Sequence, residues 1–350
     1  MARKKLSISV YSLAKELGVS PATVSKALNN ADDIALKTKN KIIAKAEEYG
    51  FKPQVLQSNY LNLCAIIELP EKSPTIFSPY INSVLEGMWD YTSQNNMETS
   101  IFVQSTDFLN DVNLLKLLSR RRVNGILLIN CGQDSEYVKH LIDNNIPFCS
   151  LQSHAGTLEH PVIRLDGTKP LYEATKHLID LGHSKIAYLN ELVDKEIGDQ
   201  RFMGYKNALK DAGIALDPSI IFENPDPAAI KDGYEFGFTG IHSLLQDKQH
   251  FTAAISSSIP VAMGAMRALN QNKIQIPEQC SIISCDDSPG APYLSPPLTC
   301  INFANRNLGF AAAKWVHQMI DGSAPENVPY EMWMESSLIL RKSTTKCPTD

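Results

Sequence analysis

Eleven short apolar runs dictate the architecture of most of this chain. They read LCAIIEL (63–69), TSIFVQ (99–104), GILLIN (125–130), PFCSLQ (147–152), VIRLD (162–166), KIAYLN (185–190), IIFEN (220–224), AAISSS (253–258), CSIISCDD (280–287), LTCINF (298–303) and SSLILR (336–341). Such runs are strand-length rather than helix-length, and most are separated by amphipathic stretches. Strand and helix alternating in this way predict parallel sheets with helices on both faces. The first nine strands alone are too many for one small sheet, and they divide into two similar halves near 167–170. The expected fold class is α/β, with two open sheets facing each other across a cleft. Ligands of such sheets bind beyond the carboxyl ends of the strands.

Before the first run the pattern is helical. Val10, Leu13, Ala14 and Leu17 recur at helical spacing, and Gly18 breaks the stretch. Ser20 is a natural N-cap and Pro21 suits the first helical position. Val24, Ala27 and Leu28 give a second helix its buried side and leave Thr23, Lys26 and Asn30 on the other. A third helix at about 36–49 turns Ile42, Ile43, Ala46 and Tyr49 inward. Two helices joined by a tight turn containing glycine make a helix-turn-helix head, whose second helix enters the major groove of DNA. Charge agrees with that reading. The chain is −5 overall, but residues 1–62 carry ten Lys/Arg against five acids, so the remainder is −10. A basic head on an acidic body points to a polyanion partner for the head alone, although small helical segments are also basic for solubility.

Other classes of function find less support. No apolar run is long enough to span a bilayer, and MARKKLSISVYSLAKEL lacks the apolar core of a signal peptide. A cytoplasmic location and no membrane partner are expected. The seven cysteines are scattered and contain no CxxC pair, as expected of reduced buried thiols rather than a disulfide framework or zinc site. No GxSxG, HExxH, P-loop or post-strand GxGxxG is present, so neither catalysis nor a cofactor or metal is expected.

The stretch SLAKELGVSPATVSKALNN, with LKTKNKIIAKAEEYGFKP after it, resembles the DNA-binding head of the lactose-repressor (LacI/GalR) family. The resemblance extends over nearly the whole chain and implies a bacterial transcription factor, in most members a homodimeric repressor. It puts Pro21 and Ala22 at variable base-reading positions and Lys26 at a third, where Lys can donate to guanine. Tyr11, Ser20, Thr23, Ser25 and Asn29 match the set that positions the head on the DNA backbone, and Lys37 and Thr38 match further phosphate contacts. Helix capping or plain solvation is the competing reading for each of these. The link KPQVLQSNYLNLCAII departs from the family: it is shorter, and Gln57, Ser58 and Tyr60 stand where Ala, Arg and Leu are usual. Leu56, Tyr60 and Leu61 are left as candidates for the apolar wedge that kinks the operator.

The body resembles the family's effector domain, which is similar to periplasmic sugar-binding proteins. In GDQRFMGYKNAL, Arg201 matches the arginine that grips the effector, and in SIISCDDSPGAPYLSPPLTCI, Asp286 matches the effector-binding acid. Tyr80, Asn130 and Asp166 fall at further cleft positions, and Ser258 stands where an asparagine usually touches ligand. Phe303 either stacks on a sugar face or belongs to the core, and an Asp at a strand end can instead cap the next helix. The segment 81–94, with Val84, Leu85, Met88 and Trp89, resembles the first body helix of the family's dimer interface.

The expected domains are a head at 1–53, a shortened hinge at 54–62 and a body at 63–345. One lobe is expected at 63–166 and 291–322, the other at 167–290 and 323–345. The resemblance implies three partners: operator double-stranded DNA, a small-molecule effector of the sugar kind, and a second copy of the chain. The alternative is a cytoplasmic carbohydrate-binding protein whose head has weakened DNA specificity.

Overall fold

The computed structural model describes residues 10–28, 34–48, 60–69, 78–105, 114, 118–131, 136–152, 160–191, 195–223, 232–324 and 331–348. It separates into two units, 1–61 and 62–350. The first contains α1 (Val10–Leu17), α2 (Pro21–Leu28) and α3 (Leu36–Glu48). Leu13, Ala14, Val24, Ala27, Leu28, Ile42 and Ala46 are buried together, with Val10, Leu17, Val19 and Ile34 against them. Gly18 supplies the left-handed backbone (φ 67°) that lets α1 and α2 meet through so short a turn. Glu16 and Lys45, 3.2 Å apart, tie α1 to α3.

The second unit holds two six-stranded sheets. In chain order its elements are β1 (Asn62–Leu69), α4 (Pro79–Gln94), β2 (Glu98–Ser105), β3 (Gly125–Ile129), α5 (Glu136–Asp143), β4 (Phe148–Leu151) and β5 (Val162–Leu165). Then come α6 (Thr168–Asp180), β6 (Ile186–Asn190), α7 (Lys195–Asp211), β7 (Ile221–Glu223), α8 (Gly233–Gln246), β8 (Ala253–Ser256), α9 (Ile259–Gln271) and β9 (Ser281–Cys285). The chain closes with β10 (Thr299–Asn302), α10 (Asn305–Asp321), β11 (Glu331–Met334) and β12 (Ser337–Ile339). The first sheet runs β2-β1-β3-β4-β5-β11 and the second β7-β6-β8-β9-β10-β12. All pairings are parallel except β10 with β12. The strands buried on both faces, such as GILLI and SIISC, are the continuous apolar runs visible in the sequence.

The chain crosses between the sheets three times: after β5, after β10 and between β11 and β12. Lobe boundaries drawn at 291 and 323 therefore misplace two strands. β10 belongs to the second sheet, paired with β9 through Thr299–Ile283, while α10 after it packs on the first. β11 belongs to the first sheet, paired with β5 through Trp333–Arg164. It is an edge strand, with Trp333 49% exposed, so EMWM carries no apolar run to announce it.

Helix packing on the first sheet depends on one close approach. A Cβ at Gly87 would collide with the carbonyl of Arg306, and one at Gly309 with the carbonyl of Val84. α4 and α10 thus meet backbone to backbone, with the Tyr91 and Phe310 rings edge-to-face at 5.2 Å beside the crossing.

Candidate functional site

Two sets of candidate residues lie in the two units. In the head, Ser20 Oγ accepts from the backbone N–H of Thr23 at 3.0 Å and lies 2.8 Å from Thr23 Oγ1. It is an N-cap of α2, so part of its hydrogen-bonding capacity is spent on the helix. Packing takes Val24, Ala27 and Leu28, and Pro21, Ala22, Ser25 and Lys26 are left exposed along one surface of α2. Thr23 is half-buried. Tyr11 is 75% exposed on α1, and Lys37 is exposed at the start of α3 with Thr38 half-buried beside it. Asn29, Asn30, Tyr49 and Leu56 lie outside the described residues. Of the other wedge candidates, Tyr60 is 56% exposed and Leu61 half-buried.

In the body, the contacts of Arg201 and Asp286 run to residues just beyond β8 and β10. Gly167, just beyond β5, donates its N–H to Gln200 Oε1 at 3.3 Å, one residue before Arg201 on α7. Arg201 is buried. Its Nη1 donates to the Ser257 carbonyl beyond β8 at 2.9 Å, and its guanidinium carbon lies 4.6 Å from the centroid of the Phe303 ring. Phe303 itself is 1% exposed, so it supports the arginine from within rather than offering its face to a sugar. Asp286 follows β9 in the left-handed region (φ 64°), and its Oδ1 accepts from Asn305 Nδ2 at 3.3 Å.

Of the other predicted positions, Asp166 and Ser258 are engaged in helix capping. Asn130 ends β3, exposed and left-handed (φ 59°), and Tyr80 is half-buried in the first turn of α4. Asp166 Oδ1 accepts from the N–H groups of Thr168 (2.8 Å) and Lys169 (3.3 Å), so this carboxylate holds the start of α6. Ser258 is the N-cap of α9 and also donates to Glu191 Oε2 at 3.3 Å. Val84 and Met88 are fully buried against the sheet, and of the four apolar residues singled out in that segment only Trp89 is exposed, at 61%.

Four residues in this neighbourhood were not singled out from sequence as ligand-facing: Asn190 and Glu191 at the end of β6, Ser257 after β8, and Asn305 at the start of α10. Burial pushes the Glu191 carboxyl above its usual range, the charge of Asp232 adds to this, and the Ser258 hydrogen bond opposes it. Asn190 Oδ1 and Asn305 Oδ1 are buried and have no hydrogen-bond partner among the described residues. Buried polar atoms are rarely left so, and a bound molecule with donors is one way to satisfy them. The signal available in sequence was only the position of these residues at or just beyond strand ends.

No helix among the described residues is long and apolar enough to cross a membrane. Residues 9–54 match the model of the bacterial regulatory proteins of the lacI family, and residues 175–344 match a periplasmic binding protein-like domain. The chain is 29% identical to the ribose operon repressor of Haemophilus influenzae over 332 residues, covering 95% of this chain and 97% of that protein. It is 24% identical to the HTH-type transcriptional regulator RegA of Clostridium saccharobutylicum, covering 97% of this chain and all of RegA. Its fold is similar to that of the transcriptional regulator CelR in complex with cellobiose, with a TM-score of 0.67, 21% identity and coverage of 96% and 99%. A DNA-binding helix-turn-helix head joined to a periplasmic-binding-protein-like body of two parallel sheets places this chain in the LacI family of transcriptional regulators.

Proposed function

We propose that this chain is a cytoplasmic homodimeric repressor that reads a pseudo-palindromic operator and releases or grips it according to a small polyhydroxy effector between its lobes. The observation that carries the reading is the capped second helix of the head, with Pro21, Ala22, Ser25 and Lys26 all exposed on it. On this reading Lys26 donates to guanine O6 or N7, and Ala22 touches a thymine methyl. Tyr11, Ser20, Thr23, Lys37 and Thr38 then position the head on phosphates. Among the three base-reading positions, Pro21, Ala22 and Lys26, only Lys26 can donate to a base, so discrimination by this helix is modest and dimer symmetry supplies the rest.

In the body, Arg201 and Asp286 are the principal effector groups, with Tyr80, Asn130 and Ser258 around them. The names of two relatives favour a sugar: a ribose operon repressor and a regulator bound to cellobiose. Three crossovers between the sheets allow the lobes to pivot, and an effector acts only if it binds one lobe arrangement better than the other. For the second copy, the exposed Met263 (41%) and Tyr293 (88%) offer an apolar face around a shallow depression of about 480 Å³ lined by Tyr234, Met266, Arg267 and Leu294. No reaction is assigned to the cleft.

A salt titration on a selected duplex and on a scrambled one tests the reading. Specific recognition requires affinity about 10³-fold or more beyond the scrambled duplex. Equal affinities would favour the rival, a carbohydrate-binding protein whose short link at 54–62 has cost the head its specificity.

A further inference from the structure

We infer that the body itself binds DNA: Arg120, Arg121 and Arg122, beside the residue through which the chain enters the body, contact phosphates of the duplex that the head holds. The inference rests on the head being a DNA reader. Asn62 is the first residue of the second unit, and the arginine turn is fastened to it. Its side-chain amide donates to the Arg121 carbonyl at 2.9 Å, and its backbone N–H donates to Asn124 Oδ1 at 2.8 Å. Asn124 returns its own N–H to the Asn62 carbonyl at 2.9 Å, and Ser100 Oγ donates to Asn62 Oδ1 at 2.9 Å. With Asn62 only 4% exposed, these bonds fix the turn at the covalent junction with the head. A duplex gripped by the head is tethered to that junction, so a second contact there needs little affinity of its own.

Neither helix capping nor a partner carboxylate accounts for three arginines in a row. All three are exposed, on a body that carries −10 overall. Among the described residues no ion pair is formed by Arg120 or Arg121. Glu98, exposed and in register with Asn62 on β2, pairs with neither. The stretch 49–61, which joins the head to this point, contains no Asp or Glu to neutralise them. Cations are favourable near a helix C-terminus, but the last carbonyls of the helical turn at 118–121 are already satisfied. Val123 N–H donates to the Leu118 carbonyl at 2.9 Å, and Arg122 N–H to that of Ser119 at 3.2 Å. Those two bonds form the helix ending in which glycine is favoured at the left-handed position. Arg122 takes that position instead, at φ 51°, against the steric preference of a residue with a side chain. Strain accepted for a charged side chain points to a use for the charge. Guanidinium groups suit phosphate because two of their N–H donors match two of its oxygens. Phosphate contacts carry no base information, so the cluster adds affinity without changing the sequence that is read.

Salt dependence measures such a contact. Full-length wild type and the triple variant Arg120→Gln, Arg121→Gln, Arg122→Gln are titrated against the duplex recovered by selection and against a scrambled duplex, from about 0.05 to about 0.3 M KCl. Each phosphate contact contributes about 0.9 to the slope of log affinity against log salt, and about tenfold in affinity near 0.1 M. The triple variant should lose about 1–3 units of slope per protomer and at least about tenfold in affinity on both duplexes, with the preferred sequence unchanged. Lysine at all three positions keeps the charge and should restore most of the slope. As a control, Lys210→Gln, Lys248→Gln and Lys273→Gln together remove the same charge from exposed positions at or just beyond the ends of α7, α8 and α9. That variant should bind like wild type. A triple arginine variant with the wild-type slope overturns the inference and leaves the DNA-reading head standing, as does an equal loss in the lysine control. If wild type shows no salt-dependent binding to either duplex, the DNA-reading head fails and this inference with it. Melting of the variants checks that they fold. Should the triple variant not fold, the three single variants are read instead: at least one should lose about 0.9 of slope, and three wild-type slopes overturn the inference.

Discussion

Arg201 and Phe303 meet across a chain crossover, guanidinium carbon to ring centroid 4.6 Å, with the arginine on α7 and the phenylalanine just past β10. Arg201, proposed above as a principal effector group, is thereby held by a residue of a segment that crosses between the sheets. Replacing Phe303 with Leu keeps an apolar filler and removes the ring's electron-rich face. Contacts of this kind are worth about 0.5–2 kcal/mol, so effector affinity should fall about 2- to 30-fold. Calorimetry on wild type and Phe303→Leu measures it; equal affinities would show that the ring is filler alone.

Lys26 and Ser20 sit on the same helix and should fail differently. Lys26→Ala removes an exposed cation, so operator affinity should drop with little change in the melting of the head. If Lys26 reads guanine, the loss should be about 1–3 kcal/mol and confined to operators with that base; if it contacts phosphate, affinity should weaken on every duplex. Ser20→Ala removes the α2 cap and should cost about 1 kcal/mol of stability. A Ser20→Ala head that melts like wild type would contradict the capping assignment.

The α4–α10 crossing leaves no room for a methyl group at Gly309, which would meet the Val84 carbonyl. Gly309→Ala should force the helices apart and destabilise the body by about 1–3 kcal/mol. Denaturant unfolding of the two proteins reads this directly, and an unchanged midpoint would mean that the crossing is slack.

Acid should weaken the body through its buried imidazoles. His183 bonds Thr252 Oγ1 at 2.9 Å and the Thr345 carbonyl at 3.0 Å, and burial lowers its pKa below the ordinary 6.5. His160, 2.9 Å from Ser150, is lowered for the same reason. Groups that protonate more readily when unfolded leave stability intact above pH about 6.5 and remove it as pH falls below that value. The melting temperature should therefore fall between pH 7 and pH 5, and fall less steeply in His183→Gln. A parallel fall in both proteins would exonerate His183.

Sequence pattern resolved the strands that are buried on both faces, because a continuous apolar run leaves little choice of environment. It did not resolve β11, whose partly exposed edge position needs no such run, nor the exchange of β10 and α10 between sheets, which is set by packing rather than by local order. Arg201 could be singled out because its motif is specific, but its burial against the Ser257 carbonyl and the Phe303 ring was not foreseeable. The burial of Phe303, and the use of Asp166 for helix capping, depend on neighbours far away in the chain. Glu191 was overlooked because a lone acid after a strand looks like any loop residue until Ser258 and Gly233 close around it.

Selection of the full-length protein on randomised duplex DNA, with sequencing of the bound pool, tests most directly whether this chain is a sequence-reading dimer. A recovered pseudo-palindrome, with one base preference relaxed in each half-site on Lys26→Ala, is the expected result. A featureless pool, unchanged when neutral sugars are added, would contradict it.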